Sequence, residues 1–367
     1  LDMGIFVRSS IGDGDGQTRF CSALVMVRKP NGTFRVCLDD TAMNKIRVRT
    51  EFPMPTRATL ETYFRDVVVM GKCDQLHGYY QVGLEKTSWK YHGVYTPRGV
   101  FVMTRLVMGG VNSPHQYIRA TTDVYGSLIG RSPAGVCQYS DDGGLYSRDS
   151  AGAKEQGTSD AHLNLLELWC GTQVRDATGT LCRATGGDKG YLELCIDRNM
   201  YLSPPKVQFF RRQMIFLGDV ISGRGISCDP RRIQGVMQMG LPTTADQVYE
   251  FISMVGWVRD KIYNYAELEA PLRALVDRAL TGKKKRTKRA IKKVAVESVG
   301  WDADCVAAWQ ALKDALANSI TRAFYDPKKC TCIVTDSSSR YWDSVVTQCS
   351  PDMLEKPWEE QRHSILV

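Results

Sequence analysis

Three aspartates are the residues of this chain best placed to do chemistry together: Asp74, Asp141 and Asp142. Asp74 closes an apolar run over residues 67–73. A carboxylate at the end of a buried strand is costly unless it is paired or metal-bound. Asp141 and Asp142 follow the short strand-like segment Val136-Cys137-Gln138-Tyr139 and precede Gly143-Gly144, after which Leu145-Tyr146-Ser147 can return. They read as the turn of a hairpin. Carboxylates delivered from separate strand ends can hold magnesium without caging it, because that ion keeps water and phosphate oxygens in its shell. Two such ions about 3.5–4 Å apart serve phosphoryl transfer, which needs charge neutralisation and in-line positioning more than covalent help. Taken alone, Asp-Asp-Gly-Gly is also an ordinary turn sequence. The setting has to decide between the two.

The surrounding elements mix strands and helices. Residues 22–28 read as a strand, Pro30-Asn31-Gly32 as a turn, and Thr33 to Leu38 as the returning strand, so this is a hairpin whose tip carries Arg28, Lys29 and Arg35. From residue 229 the pattern turns helical. Asp229 can cap, Pro230 suits the first helical position, and Val248, Phe251, Ile252 and Val255 recur at helical spacing. Asp304 is the expected cap of a further helix with Cys305, Trp309, Leu312 and Leu316 on one face. Cys332 to Asp336 reads as a strand ending on an acid.

At 367 residues the chain suits two to four subdomains. It has no apolar run long enough to span a membrane and opens without a signal segment. Leu1-Asp2-Met3 and Ile365-Leu366-Val367 read as the cut ends of a longer chain. The net charge of +8 is local. Residues 283–293 hold eight Lys or Arg and no acid, which leaves 40 basic and 40 acidic residues elsewhere. That stretch is either a solvated linker or a nucleic-acid contact. The twelve cysteines show no Cys-x-x-Cys pair, and Cys330-Thr331-Cys332 is too tight for a usual zinc arm. Reduced thiols in an intracellular protein are the expectation, with no structural zinc.

The order of several short motifs carries more than any one of them. They are Val27-Arg28-Lys29-Pro30-Asn31-Gly32-Thr33-Phe34-Arg35, with Asp39 and Asn44-Lys45 after it; Phe52-Pro53-Met54-Pro55; Lys72-Cys73-Asp74 with Gly78-Tyr79-Tyr80-Gln81-Val82; Met108-Gly109-Gly110-Val111-Asn112-Ser113-Pro114; Tyr139-Ser140-Asp141-Asp142; and Phe216-Leu217-Gly218-Asp219-Val220-Ile221-Ser222. In this order they resemble the reverse transcriptase of gypsy-type (Metaviridae) long-terminal-repeat retrotransposon polyproteins. Phe251, Gly256, Trp257, Tyr263 and Ala270-Pro271-Leu272 resemble that family's thumb. Thr335-Asp336-Ser337-Ser338 and Val345-Val346-Thr347-Gln348 resemble the first hairpin of its RNase H domain.

The resemblance implies an α+β right-hand polymerase with an antiparallel palm sheet, followed by a connection and a truncated RNase H-like segment. Fingers and palm would occupy 1–222, thumb and basic linker 223–297, connection 298–330, and the RNase H start 331–367. It implies RNA- and DNA-directed DNA synthesis, with Asp74, Asp141 and Asp142 holding two magnesium ions, manganese being the alternative ion. Lys29 and Arg35 would grip the deoxynucleoside triphosphate, as cations suited to phosphate oxygens. Tyr79 would exclude a 2′-hydroxyl, Met108 and Gly109 would line the nucleotide site, and Phe216-Leu217-Gly218 would help place the primer end. Asp336 would be the first RNase H ligand. A lone acid cannot hold two metals, so no RNase H activity is expected of this segment. Template with primer, other polyprotein segments and a cytoplasmic retroelement particle complete the expected setting.

Several positions depart from the family pattern: Asp40-Thr41, Val107-Met108, Gly143-Gly144, and a long stretch between Cys170 and Arg198 containing Gly186-Gly187. Paired glycines weaken a strand, so a loosened catalytic turn is expected, and the 171–198 stretch is expected to be a surface insertion. These departures motivate a second reading, a degenerate copy that only binds nucleic acid.

Overall fold

A computed structural model describes residues 4–366 except 15, 30–31, 172, 176–180, 184–188, 320 and 338–341. Pro30, Asn31, Gly186, Gly187 and Ser338, and both chain ends, therefore lie outside the described residues. The chain forms two compact units, residues 1–214 and 215–367. None of its described helices is long and apolar enough to cross a membrane.

In the first unit, a four-stranded sheet carries the acids. Its order is Gln208–Arg211, Val69–Asp74, Asp142–Ser147, Ala134–Tyr139. Val69, Met70, Cys73, Val136, Cys137 and Leu145 are all fully buried, and successive residues along Val69–Asp74, Asp142–Ser147 and Ala134–Tyr139 are buried rather than alternating, as in strands covered on both faces. The helix Ser113–Tyr125 contributes Tyr125 to this core, and Ala161–Cys170 contributes Leu165 and Leu168. A second sheet, ordered Phe6–Arg8, Gly99–Met103, Gly93–Thr96, Cys21–Ser22, and the separate hairpin Leu24–Arg28 with Phe34–Leu38 make up the region expected to be fingers. Within 171–198, a short hairpin of Gln173–Arg175 with Leu181–Arg183 leads to the helix Tyr191–Asp197.

The second unit holds a helical core and two sheets. Asp229 accepts the Arg231 backbone N–H at 2.9 Å and caps Pro230–Met237 as expected. The helices Ala245–Gly256, Tyr265–Leu280 and Ala303–Ala317 bury Val248, Phe251, Ile252, Val255, Leu275 and Leu312. Phe251 stacks on Trp309 at 3.7 Å. An aromatic pair of this kind adds about 0.5–1.5 kcal/mol beyond its buried area. The cap of the last helix is Asp302 rather than Asp304: its carboxylate accepts the Cys305 N–H at 2.9 Å. A capping side chain bonds the N–H two or three residues on, and with Asp302 at the cap, Asp304 falls inside the first turn, beside the positive end of the helix. Asp219–Ser222, Gly225–Cys228 and Arg322–Ala323 form one sheet with Gln213–Phe216 at its edge. Cys330–Ser337, Trp342–Cys349 and Ser364–Ile365 form the other.

Candidate active site

The register of the acid-bearing sheet brings the three aspartates to one end. Asp74 is the cross-strand partner of Asp142, and Asp142 is the partner of Tyr139 on its other side. The connecting turn is Ser140-Asp141, one residue earlier than the sequence suggested. Ser140 takes the left-handed conformation (φ 51°), so Asp141 stands at the tip and Asp142 is already the first residue of the returning strand. That shift sets Asp142 against Asp74.

Gln75 locks this arrangement. Its backbone N–H donates to the Asp141 carbonyl at 2.9 Å. Its buried side chain accepts from the Tyr117 hydroxyl and donates to the Tyr125 hydroxyl at 3.2 Å. Gln138 donates to the Ser140 carbonyl at 2.7 Å and steadies the turn from the other strand. A buried, hydrogen-bonded network of this kind fixes position more than it adds net stability. Sequence reading singled out neither glutamine.

The carboxylates crowd one another and draw cations. Burial pushes the Asp141 carboxyl above its ordinary value, and the charges of Asp142 and Asp74 push it the same way, with Lys206 opposing. Lys206 places its ammonium 2.9 Å from both oxygens of Asp74, and Lys72 places its own 3.0 Å from Asp142. Lys206 was not foreseen. Its only sequence signal is the rigid Ser203-Pro204-Pro205 lead-in, which Ser203 ties to the Asp74 carbonyl at 2.8 Å.

Gly143 and Gly144 do not loosen the hairpin. Both are buried in a strand paired on each side, Gly143 with Cys73 and Gln138, Gly144 with Lys72 and Cys137. Strand-interior glycine weakens pairing when it leaves space. Here the Tyr191 hydroxyl and the Gln138 side chain fill the space beside Gly143.

The other expected site residues lie on the helix Gly78–Gln81, on the basic hairpin and in the loop at its foot. Tyr79 sits in the helix Gly78–Gln81, half-buried, and stacks on Tyr117 at 4.8 Å. Gly78 must lack a side chain, since a Cβ there would collide with the Tyr117 hydroxyl. Tyr80 donates to the Val36 carbonyl at 2.5 Å, which joins this helix to the basic hairpin. The Met108 carbonyl accepts from Leu38 N–H at 2.8 Å at the foot of the same hairpin. Gly109 has a φ of 122°, and a Cβ on it would strike the Leu38 carbonyl oxygen, so glycine is required. Asn44 spans this loop, donating to the Gly109 carbonyl and accepting from Val111 N–H, each at 2.8 Å. Arg35 is exposed opposite Val27, and Lys29 closes the loop by donating its N–H to the Thr33 carbonyl at 2.7 Å. No described contact joins Lys29 or Arg35 to the three aspartates. Asp40, a departure from the family pattern, is buried and paired with Arg47 at 2.8 Å.

In the second unit, Leu217 and Gly218 both take positive φ and form the turn after Phe216. Asp336 lies in the strand Cys330–Ser337 opposite Asp343, and its side chain is outside what is described.

No family model matches the chain. Over 339 residues, 90 % of the chain, it is 24 % identical to the retrovirus-related Pol polyprotein from transposon 412 of Drosophila melanogaster. Over 326 residues, 87 % of the chain, it is 23 % identical to the corresponding polyprotein from transposon gypsy of the same organism. The chain spans about a quarter of the length of these relatives, 23 % and 27 %. Among solved structures, it superposes on a foamy viral protease-reverse transcriptase in complex with double-stranded DNA with a TM-score of 0.71 at 16 % identity, covering 95 % of this chain and 51 % of that one. A foamy viral protease-reverse transcriptase in complex with an RNA/DNA hybrid gives 0.66 at 15 % identity, covering 99 % and 41 %. The α+β right-hand fold expected from the motifs is therefore the fold of the chain, which is a homologue of the Pol polyproteins of gypsy-type retrotransposons.

Proposed function

We propose that this chain is the polymerase region of a retrotransposon Pol polyprotein and extends a primer with deoxynucleotides on an RNA or DNA template. The observation that carries the reading is the placement of Asp74 opposite Asp142, with Asp141 at the adjoining tip, in a chain with the reverse-transcriptase fold. The donor set suits divalent ions. Three carboxylates crowd together, burial and mutual repulsion push one of them up, and two ammonium groups already rest on the others. Bound there, two magnesium ions would neutralise the phosphates and align attack on the α-phosphorus.

The chain's own residues then divide the work. Lys29 and Arg35 on the hairpin supply cations for the triphosphate, and the Tyr80–Val36 bond holds that hairpin to the helix bearing Tyr79. Tyr79, braced by its stack on Tyr117, bars a 2′-hydroxyl by bulk. Met108 and Gly109 let backbone approach the nucleotide closely. Residues 1–222 serve as fingers and palm, 223–297 as thumb and basic linker, 298–330 as connection, and 331–367 as the start of an RNase H-like segment. Duplex binding by phosphate contact and shape, without base readout, is what the task requires.

Primer extension tests the reading. Asp141→Asn is expected to abolish extension on an RNA template while leaving duplex binding nearly intact, and unchanged extension overturns the assignment. A chain that only binds nucleic acid would bind the duplex and never extend it. One of the grounds for that second reading was a strand loosened by Gly143-Gly144, and both glycines are buried and paired; the other departures are answered by the extension assay.

A further inference from the structure

The C-terminal sheet of the second unit carries a side-chain cluster that polymerisation does not use. Cys332, Cys349 and His363 bring two sulfurs and an imidazole nitrogen within 4.8 Å of one another. Strand register makes the cluster. Cys330 pairs directly with Cys349, and Cys332 pairs with Thr347. On the other side Thr347 pairs with Ile365 and Gln348 with Ser364, so the residue entering that strand, His363, falls beside Cys349. Side chains two apart on a strand share a face, and so do direct cross-strand partners. Cys330, Cys332, Cys349 and His363 therefore stand on one face of three adjacent strands.

We propose that Cys332, Cys349 and His363 bind a zinc ion, with Cys330 as the fourth ligand. Thiolate and imidazole donors select zinc among the common cellular divalent ions, and exclude magnesium and calcium, which take oxygen. Zinc bonds of about 2.0–2.3 Å in a tetrahedron need ligand atoms closer together than 4.8 Å, a closure that rotation of the half-buried Cys332 and His363 side chains toward Cys349 can supply. Cys349 is buried and Cys332 half-buried, so the site sits between core and solvent. The imidazole is already oriented. One ring nitrogen bonds the Thr347 hydroxyl at 2.9 Å and the other the Gln361 side-chain oxygen at 2.7 Å, while the Trp358 ring packs 4.4 Å away. On binding, one nitrogen turns to the metal and the other keeps its partner, the arrangement that metal-bound histidines use to fix their tautomer. The thiols release their protons to solvent as zinc enters. The tight Cys330-Thr331-Cys332 arm argued against zinc in the sequence; sheet pairing supplies the two distant ligands that the arm lacks.

The full chain, purified without chelator, is expected to carry one zinc per chain by atomic emission. After metal removal, cobalt should give thiolate charge-transfer bands and the intense visible absorption of a tetrahedral site. Cys349→Ser and His363→Gln should each lose the stoichiometric zinc, and Gln361→Ala should weaken binding about ten- to a hundredfold. Full retention in Cys330→Ser overturns the fourth-ligand assignment. Absence of zinc from the unmodified chain, or a Cys332–Cys349 disulfide in its non-reduced peptide map, overturns the site. The measurements on the unmodified chain stand even if a variant fails to fold.

Discussion

The Tyr191 hydroxyl stands 3.0 Å from the point where a Cβ on Gly143 would lie, and the Gln138 side-chain oxygen stands 3.1 Å from it. Tyr191 is fully buried, stacked on Tyr125 at 4.5 Å and on Trp169 at 5.5 Å. It has little room to retreat. The glycine after Asp142 is thus matched to a large aromatic from the helix Tyr191–Asp197, and the core is filled at a position that carries no side chain. Gly143→Val should destabilise the chain by about 1–3 kcal/mol, the usual cost of overpacking. Combining it with Tyr191→Phe should recover part of that loss. Urea unfolding of the two singles and the double decides the matter, and equal costs of valine in both backgrounds would refute the match.

Tyr79 should govern sugar discrimination. Its ring is held face to face with Tyr117, 9° from parallel, so it presents a fixed wall. Tyr79→Ala should raise ribonucleotide incorporation relative to deoxynucleotide, whereas Tyr79→Phe, which keeps the ring, should preserve discrimination. The ratio of kcat/KM for the two nucleotide types is the measurement, and an unchanged ratio in the alanine variant removes Tyr79 from the role.

Lys206 should compete with divalent ions for Asp74. Its ammonium contacts both carboxylate oxygens, yet its side chain is 62 % exposed. An exposed pair contributes only about 0.2–1 kcal/mol, so Lys206→Met should tighten manganese binding by about 1.5- to 5-fold. Calorimetric titration without nucleotide reads this directly, and weaker binding would show that Lys206 supports the metal rather than opposing it.

Asp219 and Lys261 form a buried ion pair at 3.2 Å, with exposures of 2 % and 1 %. Asp260, linked in turn to Arg322, lies 3.6 Å from the same ammonium. Removing one member leaves a buried charge short of a partner, which costs about 3–5 kcal/mol. Asp219→Leu should therefore destabilise the second unit strongly, and adding Lys261→Met should restore most of the loss, because apolar replacement of a whole buried pair is often neutral. Thermal unfolding checks both, and a double variant no more stable than the single would contradict the pairing.

The sequence by itself determined which candidate groups the chain carries and their order along it. Asp74 at the end of an apolar run, the adjacent Asp141 and Asp142, the basic hairpin and the helical spacing of Val248, Phe251, Ile252 and Val255 are local signals, because strand and helix periods act over a few residues. Capping was legible at Asp229 and missed by two residues at Asp302, where two nearby acids compete and only backbone geometry chooses.

Only the tertiary structure decided what depends on register and volume. It moved the turn of the acid-bearing hairpin to Ser140-Asp141 and so set Asp142 against Asp74. It delivered Lys206 to Asp74 across 132 residues of sequence and His363 to Cys332 and Cys349. It filled the space beside Gly143 with Tyr191. Apart from the Ser203-Pro204-Pro205 lead-in to Lys206, none of these has a local signature. A one-residue change of strand register sends side chains to the opposite face, and a packed core leaves or removes room at a glycine according to residues far away in the chain.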